Sequence, residues 1–149
     1  MARIEIFHKM RDLRDREKQE HQKNYQRSVE VFEEKATLLY ETLKEKEMEE
    51  FRFEKQLAEQ SVQAMSFIQH QQYIERLEEK VKSLQPRVNQ AREQMKTKQK
   101  QLTTAHVEVK KFEKIIEQKV EKQEQWVKEE ESKFMDELSM QQYLNFQNR

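Results

Sequence analysis

Histidines and carboxylates are the side chains of this sequence that could do chemistry, and their spacing favours none. The four histidines, at positions 8, 21, 70 and 106, are scattered, and none lies in an HExxH pattern. Adjacent carboxylates such as Glu129–Glu131 are typical of a solvated helix face. The sequence has no cysteine and no glycine, which excludes disulfides, thiolate chemistry and glycine-rich nucleotide loops. We therefore expect a protein that is not an enzyme and holds neither a metal nor a cofactor.

The amino-acid composition predicts a largely helical protein. With no glycine and one proline, the sequence has few residues suited to tight turns. Charged residues make up 39% and hydrophobic residues 34%, which leaves too little apolar volume for a thick globular core. Glu, Lys, Gln, Arg and Leu are good helix formers, and their abundance is typical of a coiled coil. We predict an all-α coiled coil that works by binding partners.

Charge and hydropathy narrow the range of partners. Lys plus Arg equals Asp plus Glu at 29 each, so no net charge attracts the chain to nucleic acid or to an anionic membrane. The moderately basic residues 76–123 are interleaved with Glu, as on a solvated coiled-coil flank. No apolar run approaches the 18 residues of a membrane-spanning helix. We expect a cytoplasmic protein that neither binds nucleic acid nor inserts into a membrane.

The second half of the chain carries a heptad pattern. Apolar residues alternate in steps of three and four over about six heptads, with Lys98 as the one polar member. The positions are Ile74, Leu77, Val81, Leu84, Val88, Ala91, Met95, Lys98, Leu102, Ala105, Val109, Phe112 and Ile116. A shorter run in the first half consists of Tyr25, Val29, Phe32, Ala36, Leu39 and Leu43. The pattern predicts two long helices.

A fold-back near residue 60 makes the two patterns complementary. Ser61 can cap a helix that starts at Val62, so we place the turn near residues 58–62. In an antiparallel hairpin closed there, Leu39 and Leu43 face Val81 and Leu84. The apolar-free segment 14–24 then faces the weakest part of the second pattern, residues 97–107. Segments rich in apolar residues thus face each other, and segments poor in apolar residues also face each other, which favours the hairpin.

The lengths of the helices predict a C-terminal helical overhang. We expect one coiled-coil domain over residues 1–149, with helix one at about 3–58 and helix two at about 62–140. Pro86 lies inside the heptad run and is expected to kink helix two without ending it. Helix one has no residues left to pair beyond about residue 118, so the following apolar residues await a partner. Residues 141–149 are expected to form a frayed tail.

Four stretches of the sequence resemble the FliJ family, the coiled-coil component of the bacterial flagellar type III export apparatus. Phe7–Lys18 is similar to the family's aromatic, basic and leucine-containing opening, and His70–Glu78 to its Tyr-Gln-Gln-Phe-Ile segment. Glu108–Lys114 is similar to a Glu-Val-Lys block, and Met135–Ser139 to a terminal Asp-Glu signature. The four stretches follow each other in the expected order, and the distance from the first to the last spans nearly the whole chain.

The resemblance implies a stalk in an export machine. In the family, the end that bears both termini inserts into the hexameric export ATPase and promotes its assembly. The family also contacts the cytoplasmic domain of the export gate and handles export chaperones. This implies a cytoplasmic protein that associates peripherally with the inner face of the membrane through the export apparatus.

The resemblance also implies where the partners bind. The gate-contact segment falls on Tyr73, Leu77 and Leu84, although Tyr73 replaces the usual Phe and Lys80 lies on the same face. Leu77 also belongs to the heptad pattern, so core packing is an alternative role for it. The ATPase end comprises Phe7, Met10, Leu13, Val109, Phe112, Ile116 and Trp126. Alternative functions are a stalk of a virulence-type secretion injectisome, a homodimeric coiled-coil spacer and, more remotely, a nucleic-acid-binding rod.

Overall fold

The computed structural model describes residues 2–59 and 63–148, which form two α-helices. Helix α1 spans Ala2–Glu59 and helix α2 spans Ala64–Gln147. They pack against each other as an antiparallel hairpin, so the predicted fold class is confirmed. Both helices are much longer than the average helix of a globular protein. No glycine interrupts them, and the one proline, Pro86, lies within continuous helix. The predicted kink at Pro86 stays a prediction.

The connection between the helices lies where the sequence predicts it. Helix α1 ends at Glu59 and α2 begins at Ala64. Gln63 precedes α2, and its carbonyl oxygen accepts the Phe67 backbone N–H at 3.2 Å. The Gln63 carbonyl thus accepts the first hydrogen bond of the helix, and this bond defines the N-cap position. The predicted cap, Ser61, lies outside the described residues.

The predicted heptad positions of α2 form its packing face. Ile74, Leu77, Leu84, Val88, Ala91, Val109 and Ile116 are buried. The remaining positions of the pattern, including Lys98, are half-buried. The face is continuous because steps of three and four residues keep side chains on one side of a helix.

The packing face of α1 departs from the prediction at one position. Leu43 was expected on this face, but it is 40% exposed, whereas Thr42 is buried at 3% exposure. The face runs through Leu39, Thr42 and Lys46, so one step of four residues is replaced by a step of three. Thr42 tolerates burial because its hydroxyl donates to the Leu38 carbonyl at 2.7 Å. The expectation for Leu43 was wrong because a threonine whose hydroxyl is satisfied locally does not stand out as a core residue in a sequence.

Contacts between the helices bracket the predicted register. A hairpin closed near residue 60 places residues 48 and 43 opposite Tyr73 and Glu78. Instead, Glu45 accepts a hydrogen bond from Tyr73, and Lys46 pairs with Glu78 at 3.3 Å. The two contacts deviate from these positions in opposite directions, so the predicted register lies between them. Near the turn, the rings of Phe53 and Phe67 lie 5.9 Å apart.

The contacts divide the chain into two compact units. The terminal unit comprises residues 1–19 and 104–149, and the turn unit comprises residues 20–103. In the terminal unit α2 continues to Gln147, beyond the residue where we expected fraying. The Asn148 backbone N–H still donates to the Leu144 carbonyl at 3.1 Å. The assignment of residues 1–149 to a single domain stays a prediction.

A spin-label pair tests the pairing within the turn unit. Leu39 and Val81 both lie on the packing faces of their helices. Labels on cysteines at these two positions are expected within about 20 Å of each other in one chain, since packed helix axes lie about 8–10 Å apart. Double electron–electron resonance on labelled chains diluted with unlabelled protein measures this distance. A separation well beyond about 20 Å would contradict the hairpin.

Candidate partner-binding surfaces

Tyr73 lies half-buried on the flank of the turn unit, held by groups from both helices. Its hydroxyl donates to the carboxylate of Glu45 on α1. This hydrogen bond keeps the proton on the phenol and raises the pKa of Tyr73 above its usual value. The Arg76 guanidinium lies 5.8 Å from the centre of the ring. The ring is therefore fixed in orientation and still partly accessible to a partner.

The two leucines predicted beside Tyr73 lie in the interhelical core. Leu77 is 6% exposed and Leu84 is 7% exposed. A side chain this far from solvent offers almost no area to a partner that binds the intact hairpin. Of the three predicted gate-contact residues, only Tyr73 is accessible at the surface.

A groove next to Tyr73 contains residues that the sequence analysis did not identify. It encloses about 760 Å³ and is lined by the apolar side chains of Met48 and Phe51 among charged ones. Met48 is 63% exposed and Phe51 is 69% exposed. The signal available in the sequence was a pair of large apolar residues on a charged helix, off the packing face. The groove could accept an apolar side chain of a partner, and the charged side chains of Glu45, Glu47 and Lys55 also line it.

An aromatic cluster stabilises the end of the turn unit that contains this groove. The rings of Phe53 and His70 stack with centres 3.9 Å apart and planes 7° apart. The Glu49 carboxylate lies 3.3 Å from the His70 Nδ1 and accepts a 2.7 Å hydrogen bond from Arg52. These contacts, with Arg52 as the larger cause, lower the pKa of Glu49, although burial opposes them. The cluster links the two helices just beyond Tyr73 and thereby positions the groove.

The predicted ATPase end belongs to the terminal unit, and its residues fall into two groups. Val109 and Ile116 are buried, and Phe7 and Phe112 are half-buried. Lys119 lies over the Phe7 ring, with its ammonium nitrogen 5.2 Å from the ring centre. By contrast, Met10 and Leu13 are exposed and share one outer face of α1 with Ile6, a residue that the sequence analysis did not identify.

The last part of α2 has no cover from α1. Every residue from Glu124 to Asn148, which we term the overhang, is exposed. The overhang carries large apolar side chains, namely Trp126, Val127, Phe134, Met135, Leu138, Met140, Tyr143, Leu144 and Phe146. Predicted partner residue Trp126 is 61% exposed. Exposed apolar side chains in this number are a feature typical of interaction surfaces.

Neither a metal site nor a membrane span is found in the described part of the chain. Within residues 2–59 and 63–148, no three His, Cys, Asp or Glu side chains group so as to hold a metal ion. No described helix is long and apolar enough to cross a membrane.

Comparison with known proteins places the chain in one family. The profile of the family described as Flagellar FliJ protein matches residues 5–148. The chain belongs to the FliJ family. It is also 37% identical over 139 residues to the Flagellar FliJ protein of Bacillus subtilis (strain 168), which covers 93% of each chain. No solved structure matches the chain significantly.

Membership of the FliJ family makes this chain a component of the flagellar export apparatus. The four stretches that resemble the family occupy different surroundings in the fold. Phe7–Lys18 and Glu108–Lys114 lie in the paired part of the terminal unit, and Met135–Ser139 lies in the overhang. His70–Glu78 lies in the turn unit and contains Tyr73. The candidate surfaces are therefore found in both units.

Proposed function

We propose that this FliJ-family chain is a non-enzymatic stalk that binds the hexameric export ATPase through its terminal unit. The observation that carries the proposal is the overhang, whose apolar side chains are all uncovered. Exposed apolar area of this kind is stabilised by a partner that removes it from water. Met10 and Leu13 extend the exposed apolar surface of the same unit onto α1.

Binding of this kind would promote assembly of the ATPase ring. A ligand that binds the assembled hexamer more tightly than the free subunits shifts the equilibrium towards the hexamer. A helical hairpin needs no active site to do so, because its contribution is the free energy of contact. ATP turnover then rises to the extent that catalysis requires the assembled ring.

We further propose that the groove formed by Met48, Phe51 and Tyr73 contacts the cytoplasmic domain of the export gate. Tyr73 is accessible, and its orientation is fixed by Glu45 and Arg76. A pre-oriented aromatic ring costs little conformational entropy on binding, which favours contact residues of this type. The gate contact would lie in the turn unit and the ATPase contact in the terminal unit. Export chaperones are the third class of partner, and we propose a cytoplasmic location next to the membrane-bound gate.

Titration of the chain into the purified export ATPase of the same organism tests the stalk function. Hexamer formation by light scattering and ATP turnover are expected to rise together as the chain is added. Met10→Ala with Leu13→Ala is expected to weaken the effect by about tenfold, which corresponds to a combined loss of about 1.4 kcal/mol, since most contact residues cost less than about 1 kcal/mol each when truncated.

Met48→Ala with Phe51→Ala is the matched control, since it removes exposed apolar side chains from the turn unit only. This variant is expected to stimulate the ATPase normally and to lose binding to the gate domain. If the folded wild-type chain leaves both hexamer formation and turnover unchanged, the stalk function is wrong. The homodimeric spacer would then be the remaining alternative.

A further inference from the structure

The outer face of α1 in the terminal unit carries an exposed apolar stripe with basic neighbours. Ile6, Met10 and Leu13, which we term the N-terminal stripe, are 55%, 38% and 53% exposed. Glu17 lies four residues from Leu13 and is paired with Arg14 at 2.9 Å. Lys9 and Arg16 lie three or four residues from members of the stripe, so they also flank it on the helix surface. Neither side chain has a carboxylate within ion-pair distance in the described part of the chain. Residues 3–16 contain five Lys or Arg and three Asp or Glu.

The overhang presents the opposite charge around its own apolar side chains. Phe134 and Leu138 are one helical turn apart and are 61% and 38% exposed. Glu131 and Glu137 lie three residues from Phe134 and flank it, and neither forms an ion pair among the described residues. Residues 124–148 contain six Asp or Glu and two Lys. The overhang is therefore an acidic apolar surface, whereas the N-terminal stripe is a basic apolar one.

We propose that the overhang of one copy of this chain packs on the N-terminal stripe of a second copy, and the reverse, in a two-fold symmetric dimer. A two-fold axis pairs each surface with its complement on the other copy, so both contacts form at once and the assembly closes. Phe134 and Leu138 pack on Met10 and Leu13, and Lys9 and Arg16 meet Glu131 and Glu137.

The charges decide in favour of this pairing over a pairing of two overhangs. Two overhangs would bring surfaces of equal negative charge together, and like charges across an interface oppose association. The N-terminal stripe is exposed, and its neighbours Lys9 and Arg16 have no ion-pair partner among the described residues, so it complements the acidic overhang in charge. The part of α1 that carries the stripe and the overhang of α2 are both regular helix, so several turns of one can contact several turns of the other.

The dimer would cover the surface that the export ATPase needs under the proposed function. Self-association and ATPase binding would then compete, and a free pool of this chain would have its apolar overhang shielded from water. The inference itself does not depend on the proposed function, since it concerns two copies of the chain alone.

Charge reversal on either surface tests the dimer. Sedimentation velocity of the full chain at a series of concentrations is expected to show a monomer–dimer equilibrium. Lys9→Glu with Arg16→Glu, and separately Glu131→Lys with Glu137→Lys, are each expected to weaken the dimer by about a hundredfold through like-charge contacts. All four residues are on the surface, so circular dichroism should find the helical content unchanged.

Mixing the two variants provides the decisive arm. One contact of the mixed dimer has wild-type charges, and the other has both charges reversed, so association is expected to return to near the wild-type level. A chain that is monomeric at every concentration overturns the inference, and the overhang then belongs to a different partner. A dimer that neither variant weakens, or a mixture that stays monomeric, also overturns it.

Discussion

Replacement of Trp126, Phe134 and Leu138 by serine is expected to abolish stimulation of the export ATPase while the hairpin stays folded. The three side chains lie in the overhang, where no residue of α1 covers them, so their removal costs the free chain little stability. In the proposed complex they would be the apolar anchors. A buried aromatic anchor commonly contributes about 2 kcal/mol or more to binding. The combined loss corresponds to at least about a hundredfold in affinity.

The matched control for this variant changes polar residues of the same helix. Ser132→Ala with Ser139→Ala and Gln142→Ala alters the overhang without removing an apolar anchor. Hexamer formation and ATP turnover with this control should equal the wild-type values, and thermal unfolding should be the same for all three proteins. Full stimulation by the serine variant would show that the overhang is not the ATPase contact.

Leu77→Ala is expected to destabilise the hairpin, whereas Tyr73→Ala is expected to weaken gate binding. Leu77 is 6% exposed in the interhelical core, and removal of a buried leucine side chain costs about 2–5 kcal/mol. Tyr73 is half-buried on the flank, and its loss removes one hydrogen bond to Glu45 and the contact with Arg76. Urea unfolding followed by circular dichroism measures the first effect, and binding to the gate domain measures the second.

Tyr73→Phe separates the ring of Tyr73 from its hydroxyl. This variant keeps the aromatic surface and loses the hydrogen bond to Glu45, so gate binding should fall by less than it does for Tyr73→Ala. If Leu77→Ala left the unfolding free energy unchanged but abolished gate binding, Leu77 would be a contact residue and the core assignment would be wrong.

The helical hairpin could be predicted because its information is local and periodic. The packing face of α2 follows from apolar residues recurring every three or four positions, a pattern that remains legible without knowledge of the partner helix. The location of the connection is predicted from Ser61 as a helix cap, and the match between the apolar patterns of the two helices supports it. The overhang follows from the same lengths, since α2 is longer than α1. The resemblance of four stretches to the FliJ family added the identity of the machine.

The exact side chains at the surfaces could not be predicted from the same pattern. Periodicity identifies residues that face inward, and it does not rank apolar residues that face outward. Met48 and Phe51 went unnoticed for that reason, whereas Tyr73 beside them was identified through the resemblance of its segment to the FliJ family. The apolar residues Val109 and Ile116 were assigned to the ATPase end, yet the structure buries both.

Two long helices that fold back on each other follow from the amino-acid sequence, because helix propensity and heptad spacing act over neighbouring residues. Which side chains the partner helix covers follows from the packing of the two helices. Thr42 is buried in place of Leu43, and Phe53 stacks on His70 across the hairpin. Such outcomes depend on the rotation of each helix about its axis, which is set by the sum of all contacts between the helices. They therefore cannot be read from either helix alone.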